Sequence, residues 1–284
     1  MRITREKSGF IPPALTSAAS AYPQPTASGT QQLPRLFPVI AFCGPRGSGK
    51  TYTAVQLLRA YEEGKITEPK TGERTQLFTY LYTPTYDANP ILRSLKSMCA
   101  VEEKWDSKRF SAIVEEMNER IAAWKQYQAQ MRSLKRAAAG KARQIDLFQL
   151  QSLEEEPEHV PPPIHCLFVD DMLGSKLLAP GSEFSQFLIK NRHHRCMVFI
   201  LSQSVKGIPK TVRANVSCWG TCRFGNAAVI DDLHEEVSNL PRETFEALYE
   251  EGTRGEHDML VIDFSQPKDR RFSCSFREVL HVEK

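Results

Sequence analysis

No run of 18 apolar residues occurs in the 284-residue chain, so no segment reads as a membrane-spanning helix. Arg2, Arg5 and Lys7 stand near the start with no apolar core behind them, so the N-terminus does not read as a secretory signal. The 7 cysteines include no C-x-x-C pair. Cys43, Cys166 and Cys196 lie in or beside apolar, strand-like runs, where cysteine behaves as a small hydrophobe, and this usage points to a reducing compartment. Cys218 and Cys222, with His193, His194 and Cys196 upstream, are zinc-ligand types, but their spacing fits no standard finger. Neither sign of charge dominates: 37 basic against 34 acidic residues leave +3, which permits contact with nucleic acid without calling for it. No internal repeat is present. With 41% hydrophobic and 25% charged residues, the chain has the make-up of an ordinary globular protein, long enough for one large α/β domain or two small ones.

Residues 1–34 are rich in Ser, Thr, Ala, Pro and Gln, carry no apolar period, and read as a flexible tail. Order is expected from Leu36, in one domain spanning 35–284. Phe37 to Cys43 is a short apolar run bounded by glycines, a buried strand feeding a turn. Ala54, Val55, Leu57, Leu58 and Tyr61 mark one face of a helix over 51–63, closed by Gly64. Gln76 to Tyr82 reads as a second strand.

Between Asp106 and about Gln144, Phe110, Val114, Met117, Ile121, Trp124 and Met131 recur every three or four residues among charges. This is a long amphipathic helix, a helical insertion over about 106–163. It is expected to pack on the domain's flank. The alternative is an arm for a partner subunit or DNA, using Arg132, Lys135, Arg136, Lys141 and Arg143 near its end. Glu154 to Glu156, Glu158 and Pro161 to Pro163 form a linker. Ile164 to Val169 and Cys196 to Leu201 are apolar strands, and 259–264 with 271–276 reads as a C-terminal β-hairpin. Strands alternating with helices predict a mainly parallel central sheet flanked by helices.

Gly44, Pro45, Arg46, Gly47, Ser48, Gly49, Lys50 and Thr51 match G-x-x-x-x-G-K-[ST], the phosphate-cradling P-loop, and lie between a strand and a helix as that motif requires. Glycines let successive N–H groups point at one phosphate chain, and the following helix adds its positive end. Lys50 is expected to reach the β- and γ-phosphates and the Thr51 hydroxyl to ligate Mg²⁺. Ile164 to Val169 ends in Asp170 and Asp171, a Walker B pattern. Asp170 would hold Mg²⁺ through water, and Asp171 would orient or deprotonate the attacking water. Met197 to Ser202 ends in Gln203, whose amide has both donor and acceptor for a γ-phosphate and a water.

These three motifs in this order resemble the genome-packaging ATPases of large DNA viruses, the poxvirus-type branch of the FtsK–HerA superfamily. The specific part is Asn191 to Ser204 followed by Gly207 to Asn215: an Arg-His before an apolar strand, Ser-Gln-Ser after it, then Pro-Lys-Thr-Val-Arg-Ala-Asn. His257 to Asp263 is also similar. The resemblance spans roughly Phe37 to Phe276. It implies an additional-strand P-loop fold, ATP and Mg²⁺ as cofactors, and a homo-oligomeric ring. It further implies movement of double-stranded DNA into a preformed capsid, a capsid or portal-type partner, and a place in the virion or host cytoplasm. It also implies that Gln203 is the sensor and Arg213 an arginine finger across a subunit boundary, with Arg192 the rival. Asp-Asp stands where cellular members have Asp-Glu. The competing readings are a P-loop kinase, for which neither acceptor site nor Arg-rich lid is evident, and a nucleotide-binding scaffold without turnover. The P-loop assignment predicts that Lys50→Ala abolishes ATP hydrolysis and weakens nucleotide binding; turnover at the wild-type rate, read as phosphate release, would overturn it.

Overall fold

The computed structural model describes residues 3–7, 34, 36–64, 66–141, 143–144, 146, 157–172, 175–179 and 181–282. Among them run strands β1 (Ile3–Lys7), β2 (Val39–Cys43), β3 (Gln76–Tyr82), β4 (Met98–Glu102), β5 (Pro163–Asp170), β6 (Cys196–Ser202), β7 (Cys218–Cys222), β8 (Met259–Asp263), β9 (Phe272–Cys274) and β10 (Glu278–Val282). They form one sheet in the order β1-β10-β9-β8-β7-β2-β6-β5-β3-β4. The six strands from β7 to β4 pair in parallel, and the four at the other side are antiparallel. β2, β5 and β6 have no exposed residue. Their unbroken apolar runs follow from a sheet covered on both faces. Side chains alternate between two cores: Val39, Ala41 and Cys43 enter one, Ile40 and Phe42 the other.

Helix α1 (Lys50–Glu63) covers the Ile40–Phe42 face with Ala54, Val55, Leu57, Leu58 and Tyr61. The opposite face carries α2 (Ser107–Ala138), α3 (Glu183–Lys190), α4 (Ala227–Val237) and α5 (Arg242–Gly252). α2 is the long amphipathic helix expected from the sequence. Asp106 caps it, its carboxylate accepting from Arg109 N at 3.0 Å. Phe110, Ile113, Met117, Ile121, Trp124 and Tyr127 are buried beneath it. Its end is tied back rather than extended as an arm. Asp146 accepts from Ser133 Oγ and Arg136 at 3.0 Å and from Arg143 N at 2.8 Å. Two of the five cations on which a DNA arm would depend, Arg136 and Arg143, are thereby paired with Asp146 while remaining open to solvent, and the buried apolar face of α2 packs on the domain's flank. Glu154 to Glu156 lie outside the described residues.

One expectation needs correction, and one grouping that the sequence already disfavoured does not form. Residues 3–7 of the supposed tail form an edge strand against β10, with Ile3 opposite Val282 and Lys7 opposite Glu278. The open edge of β10 offers unpaired N–H and C=O groups that a five-residue segment satisfies with backbone alone, so no apolar period announces it; most of the remaining tail lies outside the described residues. The zinc grouping fails as well. Cys218 and Cys222 close opposite ends of β7, four residues and so roughly 13 Å apart along an extended strand, too far to share an ion.

His165, in β5, is fully buried, with Nδ1 2.7 Å from the His194 carbonyl oxygen. A carbonyl only accepts, so Nδ1 holds the proton and Nε2 is bare, with no partner. Burial, aided by Arg120 and Arg195 and opposed by the His194 bond, pushes the imidazole down to about 3 from 6.5. The unfolded chain therefore binds a proton below about pH 6.5 that the folded chain refuses until about pH 3. The stability this group supports above that window is lost as pH falls through it, at about 1.4 kcal/mol per pH unit. His165→Asn keeps a donor for the His194 carbonyl and does not titrate. Urea unfolding between pH 6.5 and 4.5 is expected to show the wild type losing stability more steeply than the variant by about that slope; equal slopes would exclude the assignment.

Candidate functional site

The parallel strands deliver their C-terminal ends to one edge of the sheet, and the loop between β2 and α1 lies there. Gly44 N donates to Ser202 O at 3.2 Å, seaming the loop to the end of β6. A β-carbon on Gly44 would stand 2.6 Å from Ser48 Oγ and 2.8 Å from Cys222 Cβ, so only glycine passes between the loop and β7. Gly49, at φ 90°, turns the chain left-handed into α1 and leaves the helix start without a side-chain cap. The first backbone N–H groups of α1 are therefore open to an anion, with the helix dipole behind them. Lys50 Nζ donates to Pro45 O at 2.8 Å, folded across the loop. Burial lowers its ammonium from the usual lysine value, while Cys222, Asp170 and Asp171 act the other way.

Two strands over, β5 ends in Asp170, 6% exposed, whose Oδ2 accepts from Thr51 Oγ1 at 3.3 Å. Burial pushes its carboxyl up to about 6; the Thr51 bond and Lys50 oppose this, and Asp171 adds to it. Successive side chains of a strand point to opposite faces, which would send Asp171 away. Asp171 instead adopts φ 55°, a left-handed conformation that aspartate tolerates, and its Oδ1 accepts from Gln203 Nε2 at 3.0 Å. β6 carries Gln203 to that place because it lies between β2 and β5, with Cys43 level with Ser202 and Asp170 level with Leu201.

Lys50, Thr51, Asp170, Asp171 and Gln203 thus converge, linked in pairs, at one end of three adjacent strands. A buried carboxylate with a single hydroxyl partner beside a lysine is an anion short of positive charge, and a divalent cation fits it. Among the described residues no group of three or more His, Cys, Asp or Glu could hold a metal alone. One carboxylate and one hydroxyl completed by phosphate and water is how Mg²⁺ is usually held.

Arg213 is not bonded to any member of this set. Its Nε donates to Glu236 of α4 at 2.9 Å and Nη1 to Ile208 O at 2.6 Å, and the side chain is 14% exposed. It braces the loop after β6 against α4. Asn191, in the sequence block most specific for the viral resemblance, donates from Nδ2 to Phe37 O at 3.0 Å and Cys196 O at 2.9 Å, tying β2 to β6 at the end away from the P-loop. The Arg192 side chain is exposed and has no partner among the described residues. Cys222 beside Gly44, and His257 packed over Gly49, were not read from the sequence. They come from β7, which adjoins β2, and from the loop before β8, the next strand out, and reach the phosphate loop only once the sheet is assembled.

A P-loop followed by α1, with a further strand between the P-loop strand and the acidic strand, defines the additional-strand P-loop NTPase fold. No family model matches the chain, and no characterised protein matches it in sequence. Among solved structures it is similar to B204, the DNA-packaging ATPase from Sulfolobus Turreted Icosahedral Virus, at 10% identity and TM-score 0.46 over 87% of this chain and 98% of that one. It is also similar to the genome packaging NTPase B204 from Sulfolobus turreted icosahedral virus 2 in complex with ATP-gammaS, at 12% and 0.45 over 86% and 96%. A third likeness is to EssC (ATPases 2 and 3) from Geobacillus thermodenitrificans, at 15% and 0.46 over 79% and 41%. With TM-scores below 0.5, the fold assignment rests on strand order and loop geometry rather than on these matches.

Arg213→Ala is expected to destabilise the fold by about 1–3 kcal/mol, because it strands a partly buried Glu236 and the Ile208 carbonyl. Urea midpoints measure this, and an unchanged midpoint would show that the brace is not needed.

Proposed function

We propose that this chain is a Mg²⁺-dependent ATPase that works as a homo-oligomeric ring and drives double-stranded viral DNA into a preformed capsid. The observation that carries the hydrolytic part is the convergence of Lys50, Thr51, Asp170, Asp171 and Gln203 at one sheet edge. The loop from Gly44 to Thr51 cradles the triphosphate on backbone N–H groups, and Lys50 leaves Pro45 O for the β- and γ-phosphates. Thr51 and Asp170 hold Mg²⁺, which neutralises phosphate charge when bound. Asp171 orients and accepts a proton from the attacking water, and its left-handed backbone aims it there. Gln203 bridges Asp171 and the γ-phosphate, so the bond seen here is the one a bound γ-phosphate would reorganise.

The packaging role rests on the 191–215 block and on no DNA contact described above. It brings the expected partners, double-stranded DNA, further copies of the chain, and a capsid or portal-type protein, and places the work at a virus assembly site in the host cytoplasm or in the virion. No helix among the described residues is long and apolar enough to cross a membrane.

The sequence made Arg213 the first choice for the guanidinium supplied across the ring. Its ties to Glu236 and Ile208 favour Arg192 instead. Arg192 precedes β6, whose seven residues put it roughly 20 Å along the strand from its own P-loop edge. Exposed, with no side-chain partner among the described residues, it is free to reach a neighbour's nucleotide. Two measurements test the whole. Phosphate release from ATP is expected to rise when double-stranded DNA is added; unchanged turnover would remove the motor reading, and transfer of phosphate to a small acceptor would install the kinase. Mixing inactive Lys50→Ala with inactive Arg192→Ala subunits is expected to restore part of the activity at shared interfaces. Rescue by Arg213→Ala in place of Arg192→Ala would return the finger to Arg213.

A further inference from the structure

The groups that would act on the γ-phosphate come from β5 and β6, both on one side of β2. A triphosphate laid along the start of α1 must carry its nucleoside out on the other side, over β7, β8 and β9. That side presents an exposed cluster which the hydrolytic reading leaves unused. Tyr52, in the first turn of α1, is 50% exposed, one of few large hydrophobic side chains so open. Its hydroxyl accepts from Gln56 Nε2 at 2.7 Å, and Gln56 Oε1 in turn accepts from Arg277 Nη2 at 3.5 Å. His257 stands over Gly49, its ring atoms 3.6 Å from where a β-carbon on that glycine would lie. The loop before β8 thus lies over the last phosphate-binding glycine, and the turn after β9 reaches the first two turns of α1 through Gln56.

The turn that supplies Arg277 is held in an unusual shape. Ser275 and Phe276 both have positive φ, 49° and 61°, and Arg277 N donates to Cys274 O at 2.8 Å. Two successive left-handed residues closed by this bond are the turn that normally takes Asn-Gly, and Arg277 follows as the third residue of the connection between the paired Cys274 and Glu278. Two side-chain-bearing residues are kept left-handed there because the turn is pinned on both sides. Ser275 exchanges bonds with Met259 on β8, and Phe276 is buried with its ring 6.4 Å from Phe42. The strain fixes where the next residue, Arg277, emerges against α1.

We propose that Tyr52, Arg277 and His257 form the nucleoside clamp of this site, with the base lying on the Tyr52 ring beside the Arg277 guanidinium and His257 facing the ribose. The proposal rests on the nucleotide-binding reading above. Both ends of the Gln56 amide are occupied by Tyr52 and Arg277, so this amide does not read a base edge. The clamp grips the base by its face, and face stacking accepts every base. ATP and GTP are therefore expected to bind within about tenfold of each other, whereas a site that reads base edges by hydrogen bonds rejects the wrong partner by orders of magnitude more.

Equilibrium binding of ATP, GTP and inorganic tripolyphosphate, each with Mg²⁺, separates the clamp from the P-loop. Tyr52→Ala and Arg277→Ala are each expected to weaken ATP and GTP by about 5- to 100-fold while leaving tripolyphosphate within about twofold. Tyr52→Phe keeps the ring and is expected to retain ATP affinity. ATP binding unchanged in both alanine variants would overturn the clamp, as would a loss in Tyr52→Phe equal to that in Tyr52→Ala. A preference of a hundredfold or more for one purine in the wild type would overturn recognition by the face. If the wild type binds tripolyphosphate but Lys50→Ala does not, the P-loop reading stands whatever the clamp variants do. If the wild type binds none of the three, that reading fails and the clamp with it.

Discussion

Everything at the site depends on the parallel register of β2, β6 and β5. The pairing of Cys43 with Ser202 seams the phosphate loop to β6 through Gly44 N. The pairing of Asp170 with Leu201 puts the buried carboxylate beside that seam and within reach of Thr51. Side chains alternate along a strand, so a slip of one residue would turn Asp170 to the other face and point an apolar residue at Thr51. Alternating placement of Val39, Ala41 and Cys43 against Ile40 and Phe42 in two separate cores forbids that slip. Packing on both faces therefore fixes the position of a functional group that takes little part in the packing.

The same burial sets the electrostatics. A carboxylate at the end of a strand without exposed residues is desolvated, and its ordinary affinity for a proton rises; the Asp170 carboxyl moves up to about 6. Its neighbour departs from the strand at the backbone. With φ at 55°, Asp171 leaves the strand's alternation and meets Gln203 at the exposed rim. Two adjacent acids thus acquire different surroundings, one buried and suited to a cation, one exposed and held by Gln203.

The parts of this arrangement written as local pattern were legible. β2, β5 and β6 are continuous apolar runs, the loop is a fixed motif, and α2 has a sustained helical period. β7 was not legible. Cys-Trp-Gly-Thr-Cys has neither alternation nor an apolar run. It is a strand because β2 on one side and β8 on the other complete its ladders. β1 failed for the same reason at the sheet's edge. For Arg213, sequence could supply a position but not an orientation. Its partner Glu236 lies 23 residues on, in a helix that no motif marks.

That last case bears on how a family-like block is interpreted. Asn191 and Arg213 are among the residues that make the 191–215 segment distinctive, yet Asn191 is spent on the Phe37 and Cys196 carbonyls and Arg213 on Ile208 and Glu236. Both fasten the ends of β6. A strand inserted between the phosphate loop and the acidic strand must be held at both ends, because Gln203, the residue that follows it, contacts Asp171 and any drift would break that bond. The distinctive residues then serve the chemistry through the placement of β6. Arg192, the one guanidinium of the block left exposed without a side-chain partner among the described residues, is the one that its position keeps from serving its own site.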